Sequence, residues 1–523
     1  MTTTLTEGSP TEPGHSKGLK EGALGLASAT VVGVASTAPG YSIAATLGLI
    51  TAYVGLRSPA MMWISFLPMA CIAAAFFYLN RADPDCGTNF TWVTRAIGPR
   101  SGWMGGWSSL IADLVIMPSL AAIAASYTFT LFGFTGQANS IWWQMGLGIL
   151  FILAMTWICA VGIELSARTQ MGLLVTELFI LVAFSVTALV KVYGNKIHGS
   201  AHPSWSWLAP HHFGGIGGFT EGLLLAIFIY WGWDTAVSVN EECEDADRTP
   251  GIAAILSTFI LVAIYVTVAF AAQAVKGADF LTNNYNDVLS ATGNIVFGTT
   301  GVGWVAGKLL IVAVLSSAAA SCQTTILPAA RTALSMSVHR AAPEFFGRMD
   351  RKHLTPALST WIFGIFSCAW FVLLTVLTRI NGGNILEWSA LGVGLMIAYY
   401  YGQTGFACVI YFRRYIFKSV KNFVFVGLLP LIGGLTLGYA FLQSVWDMTN
   451  PNYDGPPPVS WLGVSPVFWL GLGVFLAGIP LMFWWHAHDR TFFERGRDHV
   501  DERPPPEAGY QVPPLVAAAR VEA

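Results

Sequence analysis

The feature that most constrains this chain is a polar interruption in the middle of a hydrophobic segment. Residues 223–239 are largely apolar, but they contain the run Phe228-Ile-Tyr-Trp-Gly-Trp-Asp234. A carboxylate at the centre of a membrane helix is costly unless it faces water, a partner or a ligand. A second interruption, Val34-Ala-Ser-Thr-Ala-Pro-Gly40, lies between two apolar half-segments near the start of the chain. Two broken helices in one membrane protein indicate a binding site near the midplane of the bilayer.

The composition places the chain in a membrane. Hydrophobic residues make up 54% and charged residues 11% of its 523 positions, and the mean hydropathy is +0.58. Soluble domains carry about 25% charged residues. The net charge of -2 provides no electrostatic footprint for nucleic acid. The seven cysteines lie singly, without the spacing of a disulfide framework or a zinc site, so we expect no metal.

Twelve apolar windows of helical length predict an all-α integral membrane protein with twelve transmembrane helices. The windows are 23–54, 59–79, 102–133, 141–163, 169–192, 216–240, 251–274, 302–330, 357–378, 386–411, 422–445 and 465–486. Lys and Arg test this topology, because they concentrate in cytoplasmic loops. With the N-terminus inside, the outer loops hold only Arg57, Lys191, Lys196, Lys276 and Arg379. We therefore predict a multi-pass protein of the cell membrane with both termini in the cytoplasm.

The first interruption has the chemistry of an anion site. Pro39 has no N–H and disfavours a helical conformation before it, Gly40 allows a sharp turn, and Ser36 and Thr37 add hydroxyls. Unwinding exposes backbone N–H groups at the start of the outer half-helix, where the positive end of the helix dipole attracts a carboxylate. The alternative is a proline-kinked span whose hydroxyls are satisfied internally.

The second interruption has the chemistry of a cation site. Gly232 lies between Trp231 and Trp233, and carbonyl groups freed there could hold an ammonium group or a cation. Phe228, Tyr230 and Trp231 add flat apolar surface and cation–π capacity. The two ends of a zwitterion would then meet opposite helix-terminal charges.

Three motifs resemble the amino acid–polyamine–organocation (APC) superfamily. They are the small-residue break Gly33–Gly40, the aromatic-Gly-aromatic-acid run with its following Glu-Glu and Arg from Trp231 to Pro250, and the stretch from Gly87-Thr-Asn-Phe-Thr-Trp92 through Gly98-Pro-Arg to Gly102-Trp103. The similarity covers nearly all spans. It implies secondary transport of amino acids or amines by a five-plus-five inverted repeat with discontinuous first and sixth helices, plus two C-terminal helices.

The resemblance also implies a division of the chain and a set of binding residues. The division is 1–21, a cytoplasmic N-terminal tail; 22–192, the first inverted repeat with spans 1–5; 193–214, an extracellular loop; 215–412, the second inverted repeat with spans 6–10; 413–487, spans 11–12; and 488–523, a disordered cytoplasmic tail. The binding residues are Ser36, Thr37, Ala38, Pro39 and Gly40 for a substrate carboxylate, Phe228 as an aromatic gate, and Ile229, Tyr230, Trp231 and Gly232 for the pocket. The chain departs from the family's Gly-Ser-Gly or Gly-Thr-Gly, because Thr37-Ala38-Pro39 stands in its place.

The same comparison leaves two coupling ions possible, the proton and sodium. In several proton-coupled relatives a lysine of the fifth span takes the place of a sodium ion, and the matching position here is Glu177. A sodium-dependent mechanism would use hydroxyls of the eighth span, for which Ser316, Ser317 and Ser321 are the candidates. We expect protons rather than sodium, and no cofactor.

The acids within the spans are candidates for gating and coupling. Asp234 would attract a substrate ammonium or titrate during transport, or else cap a helix. Glu177 would carry a proton, or else bind neighbouring hydroxyls, and Asp113 would line the pathway or form a structural pair. The pair Glu241–Glu242 with Arg248 predicts an inner gate or a structural ion-pair network.

These observations predict a secondary active transporter that imports an amino acid by alternating access. Its partners would be a small-molecule substrate and the lipid bilayer. The alternatives are an amine or polyamine carrier, an amino acid exchanger, a sodium-coupled symporter and, from another class, a membrane sensor. No nucleotide motif accompanies the spans, so no ATPase subunit is implied. No nucleophile or metalloprotease motif indicates an enzyme, and no catalytic residue is expected.

Overall fold

Helices begin close to the first described residue. The computed structural model describes residues 17–211, 213, 215–285, 287–383, 385–451, 453 and 460–495. Most of the predicted tails, 1–21 and 488–523, therefore lies outside the described residues. The start of the second tail differs from the prediction of disorder. Thr491–Arg495 form a short helix, and its buried Phe492 stacks on Phe90 with ring centroids 5.3 Å apart.

In the described part of the chain all regular secondary structure is helical, and ten stretches are long and apolar enough to cross a membrane. These stretches are Leu26–Ala82, Pro99–Leu131, Ile141–Val161, Ile163–Tyr193, Thr249–Lys276, Gly301–Val338, Ala357–Asn381, Trp388–Tyr411, Val420–Asp447 and Pro466–His488. Together they make the chain a multi-pass membrane protein.

The individual helices subdivide these stretches. Their bounds are α1 Leu26–Ser36, α2 Pro39–Val54, α3 Ser58–Ala82, α4 Asn89–Ala96, α5 Pro99–Leu131, α6 Thr135–Ala138, α7 Ile141–Val161, α8 Ile163–Tyr193, α9 Gly215–Tyr230, α10 Thr235–Ser238, α11 Thr249–Lys276, α12 Ala278–Asn283, α13 Val288–Phe297, α14 Gly301–Val338, α15 Ala357–Asn381, α16 Ile385–Tyr411, α17 Val420–Asn422, α18 Leu429–Asp447, α19 Pro466–Phe468, α20 Val474–Leu476, α21 Gly478–His488 and α22 Thr491–Arg495. Short 3₁₀ turns cover Gly55–Arg57, Trp205–Leu208, Asn240–Glu242, Glu344–Gly347 and Ile416–Lys418, and π-helical turns cover Phe423–Leu428 and Trp469–Gly473.

The first apolar window is split, as its sequence predicts. Helix α1 ends at Ser36, and α2 begins at Pro39. Between them Ala38 has a left-handed backbone with φ of 46°. Proline opens α2 at no cost, because the first turn of a helix leaves its N–H groups without an intrahelical partner in any case.

The sixth apolar window is interrupted as well. Helix α9 ends at Tyr230, four residues form turns, and α10 covers only Thr235–Ser238. Gly232 lies in this turn with φ of 114°, a conformation that side chains other than glycine's rarely adopt. The window 216–240 is therefore a helix, a turn and a short second helix.

Packing brings the two broken segments together in the interior. Helix α1 contacts α8, α10, α11 and α14, while α2 contacts α9, and the long α14 lies against α5. Below the breaks the backbone of Leu24 pairs with that of Cys243 in an isolated bridge. Leu24 N–H donates to the carbonyl of Glu242 at 3.0 Å, so the backbone before α1 is tied to the backbone after α10.

Candidate functional site

The two breaks touch each other. The hydroxyls of Ser36 and Thr235 lie 2.8 Å apart. A Cβ atom added to Gly232 would lie 2.8 Å from both the carbonyl carbon and the carbonyl oxygen of Ser36. Only a residue without a side chain fits there, so Gly232 serves both the turn and the close approach of the two backbones.

The freed groups of the first break find partners inside the protein. Thr37 donates its hydroxyl to the carbonyl of Val34 at 2.7 Å, and Ser42 donates to the carbonyl of Thr37 at 2.7 Å. Ser321 of α14 donates to the carbonyl of Ser36 at 3.0 Å. The break is therefore stabilised by hydroxyl groups from its own segment and from α14.

A carboxylate of the protein itself occupies the start of α2. Oε1 of Glu177, from α8, accepts the N–H of Gly40 at 2.6 Å and the hydroxyl of Ser317 at 2.8 Å. The N–H of Tyr41 in turn donates to the Ser317 hydroxyl at 3.1 Å. The sequence predicts a substrate carboxylate at these N–H groups. The structure instead places the Glu177 carboxylate there, because the positive end of a helix dipole attracts an anion.

The carbonyl groups of the second break are also largely engaged. The carbonyl of Phe228 accepts the N–H of Trp231 at 3.0 Å, and that of Ile229 accepts the Tyr265 hydroxyl at 2.5 Å. The carbonyl of Gly232 accepts the N–H of Thr235 at 3.0 Å. Each of these three carbonyls therefore already accepts one hydrogen bond inside the protein.

Side chains around Asp234 form a hydrogen-bonded aromatic cluster. The carboxylate of Asp234 accepts the hydroxyl of Tyr401 at 2.8 Å and that of Tyr400 at 3.1 Å. The Tyr400 hydroxyl also accepts the indole N–H of Trp231 at 2.6 Å. Both tyrosines belong to α16 and are buried. They fix the Asp234 side chain beside the turn.

A narrow cavity with a volume of about 10 Å³ lies against the two breaks. Small-molecule pockets commonly measure about 300–1,000 Å³, so this cavity is nearly closed and has no room for an amino acid in this conformation. Its walls include Ser36, Asp113, Trp231, Gly232, Asp234, Thr235, Thr325 and Tyr400. Among the described residues no Lys, Arg or His lines it, whereas two carboxylates do.

Asp113 is the unusual member of this wall. It lies on α5 and is 2% exposed, and its Oδ2 has no hydrogen-bond partner among the described residues. A buried carboxylate oxygen without a partner is costly unless a cation, a proton or water satisfies it. The cavity therefore has the electrostatics of a cation site.

The structure unites some of the predicted residues and separates others. Ser36, Asp113, Trp231, Gly232 and Asp234 share the cavity. The remaining predicted residues are buried near the breaks but do not line it; they are Thr37, Ala38, Pro39, Gly40, Glu177, Phe228, Ile229 and Tyr230.

Two of the predicted pocket residues make other contacts. Tyr230 donates its hydroxyl to the carbonyl of Met62 at 2.9 Å, and its ring meets Tyr265 edge-on with centroids 5.0 Å apart. Phe228, the predicted gate, is 4% exposed. Both side chains therefore belong to the packed interior of this conformation.

The three candidate sodium-binding serines point to different partners. Ser316 donates back to the carbonyl of Ala313 at 2.9 Å, within its own helix. Ser317 donates to Glu177, and Ser321 donates to the carbonyl of Ser36. Two of the three therefore join α14 to the first break.

Sequence reasoning missed several wall residues. Ser109, Thr325, Pro328 and Tyr400 line the cavity but were not singled out. Only Tyr400 has a local signal, because Tyr399, Tyr400 and Tyr401 form an uncommon triplet within an apolar helix.

A buried ionic cluster lies near the ends of the broken segments where Leu24 and Cys243 pair. Lys17 lies 2.8 Å from Asp85 Oδ1 and 2.6 Å from Glu241 Oε1, and the opposite Asp85 oxygen lies 3.1 Å from His339 Nε2. Burial alone would raise the pKa of Asp85, but Lys17 and His339 outweigh it and hold that pKa well below its usual range. The Lys17 ammonium also lies 3.5 Å from Cys86 Sγ. The side chains of Asp85, Cys86 and Glu241 lie close enough together to hold a metal ion, but here they surround the Lys17 ammonium.

The second acid of this region has a different partner from the predicted one. Arg331 holds Glu242 through two hydrogen bonds of 2.9 and 3.0 Å, and both side chains are fully buried. Among the described residues neither Glu241 nor Glu242 pairs with Arg248. The prediction of an ion-pair network was right, but its choice of Arg248 was wrong, since Lys17 and Arg331 come from segments far away in sequence.

Comparison with known proteins agrees with this architecture. A family model described as "Amino acid permease" matches residues 24–475. The branched-chain amino acid permease BcaP of Bacillus subtilis (strain 168) is 26% identical over 380 residues, which are 66% of this chain and 73% of that protein. The low-affinity putrescine importer PlaP of Escherichia coli (strain K12) is 22% identical over 398 residues, 75% of this chain and 82% of that protein.

Two solved structures share the fold. The crystal structure of MhsT in complex with L-phenylalanine has a TM-score of 0.57 at 16% identity, covering 80% of this chain and 98% of that one. The crystal structure of an Eremococcus coleocola manganese transporter mutant has a TM-score of 0.56 at 14% identity, covering 88% and 94%. At these identities the likeness concerns the fold alone.

Proposed function

This chain belongs to the amino acid permease family, and on that premise we propose that it imports an amino acid across the cell membrane by alternating access, coupled to protons. The membership itself makes the chain a membrane transporter of amino acids or amines rather than an enzyme. The coupling ion, the direction and the substrate are the proposed part.

The proposed architecture has twelve crossings in a five-plus-five inverted repeat with two further helices. The ten apolar stretches become twelve crossings when Leu26–Ala82 counts as two and the broken segment Gly215–Ser238 counts as one. The breaks after Ser36 and Tyr230 are separated by about five crossings, which supports a repeat inverted in the membrane. Both termini then face the cytoplasm.

The observation that carries the proposal is the contact of the two breaks beside a polar, nearly closed cavity. Irregular backbone is tolerated at membrane depth only where protein buries it or where it lines a cavity. Ser36 and Gly232 meet both conditions. We assign the substrate to this cavity once it widens, with Ser36–Gly40 and Phe228–Gly232 as its walls and Phe228 as the gate.

Glu177 provides a route for coupling. A substrate carboxylate can take the N–H of Gly40 only when Glu177 leaves it. No Lys, Arg or His pairs with Glu177 among the described residues; Ser317, Gly40 and the nearby Tyr265 hydroxyl are its polar surroundings. A buried carboxylate that loses its donors is costly, so it takes up a proton instead. Binding of substrate and binding of a proton are then linked.

The test is uptake into proteoliposomes that contain the purified protein. An imposed pH gradient should drive accumulation of a labelled amino acid, and a sodium gradient should not. Glu177→Gln should lose accumulation driven by the pH gradient but retain exchange between labelled and unlabelled substrate. Uptake driven by sodium alone would overturn the proton assignment. Concentrative, pH-driven uptake by Glu177→Gln would show that another group couples the proton.

The matched control is Glu221→Gln. Glu221 is a half-buried acid of α9, away from both breaks, and the substitution makes the same chemical change. It should leave the response to the pH gradient intact. Equal loss in both variants would indicate a general effect of removing an acid, and not a role of Glu177.

A second candidate, an amine carrier, is favoured by one specific observation. Asp113, in the wall of the cavity, has a carboxylate oxygen without a partner among the described residues, while Glu177 already occupies the N–H of Gly40. A substrate with an ammonium group and no carboxylate would satisfy Asp113 without displacing Glu177. Decarboxylated analogues should then compete for uptake at least as well as the parent amino acids. If the decarboxylated analogues fail to compete, the hypothesis of an amine carrier is excluded.

A further inference from the structure

The segment between α16 and the π-helical turn Phe423–Leu428 presents a basic and apolar surface at the edge of the membrane. We call residues 413–421 the interface loop; its sequence is Arg-Arg-Tyr-Ile-Phe-Lys-Ser-Val-Lys. The candidate span Val420–Asp447 begins inside it. The loop therefore lies where a membrane-crossing segment enters the lipid headgroup region.

The interface loop is ordered by its own contacts. Ile416 is buried against Gly427, and the Ser419 hydroxyl caps the following short helix by accepting the N–H of Asn422 at 3.1 Å. The amide of Asn422 also donates to the carbonyl of Tyr415 at 3.2 Å. These contacts hold the loop in a defined turn, so the outward direction of its side chains is set by structure.

Two apolar side chains of this turn are exposed to an unusual degree. Phe417 is 85% exposed, and the neighbouring Val420 is 81% exposed. Phe423 and Phe425, just inside the span, are each 43% exposed and continue the same apolar surface. Exposed aromatic rings at the end of a membrane span are accommodated among lipid headgroups, where one side is apolar and the other wet.

The charges of the loop are all positive, and three of them have no counterion among the described residues. Arg414, Lys418 and Lys421 are exposed, and none of them has a carboxylate within 4.0 Å in the part of the chain that the structure describes. The sequence contains no Asp or Glu from 388 to 446. The ammonium of Lys418 lies over the Tyr415 ring, 4.3 Å from its centroid, and not against an acid. The partner that complements this surface is anionic and amphipathic.

We propose that the interface loop is a binding site for an anionic phospholipid, whose phosphate contacts Arg414, Lys418 and Lys421 while its glycerol and upper acyl region packs on Phe417 and Val420. Clusters of basic residues beside a span attract anionic headgroups electrostatically, and guanidinium groups match phosphate oxygens through paired hydrogen bonds. The site is independent of the substrate cavity and of the coupling ion.

The test compares the thermal midpoint of the full-length protein in neutral detergent as phosphatidylglycerol or phosphatidylcholine is added. Phosphatidylglycerol should raise the midpoint, and phosphatidylcholine should not. The triple variant Arg414→Gln, Lys418→Gln, Lys421→Gln should bind phosphatidylglycerol about a hundredfold more weakly, since three interfacial charges are removed. Its response should therefore shift to correspondingly higher lipid concentration.

Three further arms make the result specific. The control triple variant Arg348→Gln, Arg351→Gln, Lys352→Gln removes the same charge from another exposed loop and should respond as the wild type does. Phe417→Ser keeps every charge and should weaken the response, because it removes the apolar part of the site. Inorganic phosphate should not replace the lipid. An equal response of the two triple variants, or equal stabilisation by free phosphate, would overturn the assignment.

Discussion

The contact between the breaks makes Gly232→Ala the most informative single substitution in this protein. The added methyl group would lie 2.8 Å from the backbone carbon and oxygen of Ser36 and 2.9 Å from its hydroxyl. Ordinary contacts of a Cβ atom are longer than about 3.4 Å. The backbone φ of 114° adds strain for any residue other than glycine.

The cost follows from these two effects. A non-glycine residue in such a conformation costs about 1–3 kcal/mol. Overpacking against a rigid backbone costs about another 1–3 kcal/mol. The sum is about 2–6 kcal/mol unless the two breaks move apart. Because the carbonyl of Ser36 is also held by Ser321, separation would disturb α14 as well.

The assay is the thermal midpoint of purified variants together with substrate affinity by a binding titration. Gly277→Ala is a control for strain, because φ is 81° there and the nearest atom is 3.8 Å from the added methyl group. Gly172→Ala is a control for the substitution itself, since it lies within α8 with nothing within 4 Å. Gly172→Ala should be neutral or slightly stabilising, because alanine is the better helix former.

We expect the thermal midpoint to be highest for Gly172→Ala, lower for Gly277→Ala and lowest for Gly232→Ala. Only Gly232→Ala should also lose at least tenfold in substrate affinity, which corresponds to about 1.4 kcal/mol. If Gly232→Ala is no less stable than Gly277→Ala, the two breaks do not pack as described. If its affinity is unchanged, the substrate does not bind where they meet.

Three further predictions concern the buried charges. Arg331→Met should destabilise the protein by about 3–5 kcal/mol, because Glu242 is left buried without a counterion. The double variant Arg331→Met, Glu242→Leu should regain a large part of the lost stability. An Arg331→Met variant as stable as the wild type in thermal unfolding would refute this prediction. Lys17→Gln should lower the thermal midpoint by the same amount at every pH from about 5 to 9. The depressed pKa of Asp85 gives stability that is lost only in acid, and the raised pKa of Lys17 gives stability that is lost only in strong alkali. A difference in thermal midpoint between the variant and the wild type that changed around neutral pH would contradict this prediction. Asp113→Asn should leave the midpoint unchanged or raised while uptake of an amine or amino acid falls, and a variant with lower stability and normal uptake would make Asp113 structural.

The gross architecture was predictable because it depends on local composition. Hydrophobic length decided the membrane-crossing stretches, and the places where helices end were visible at Pro39 and Gly232, whose backbone preferences need no tertiary information. That Asp113 and Asp234 lie beside a polar cavity was predictable as well, because an acid inside an apolar segment requires a special environment.

The partners of the freed groups were not predictable. Glu177 reaches Gly40 across 137 positions, and Arg331 reaches Glu242 across 89. The sequence analysis paired Glu242 with the nearby Arg248, because only counterions close in the sequence can be identified without the tertiary structure. Tyr400 and Tyr401 of α16 donate hydrogen bonds to Asp234, and no sequence pattern indicated that pairing.

The sequence by itself determined that this chain crosses the membrane many times and that two of its helices break at polar, glycine- or proline-containing positions. The tertiary structure alone decided that the breaks touch and that Glu177 occupies the N–H of Gly40. It also decided that Asp113, in the same cavity as Asp234, has an oxygen without a hydrogen-bond partner among the described residues. The physical reason is that hydrophobicity and backbone preference act over a few residues. The satisfaction of a buried polar group depends on whichever distant helix packs against it.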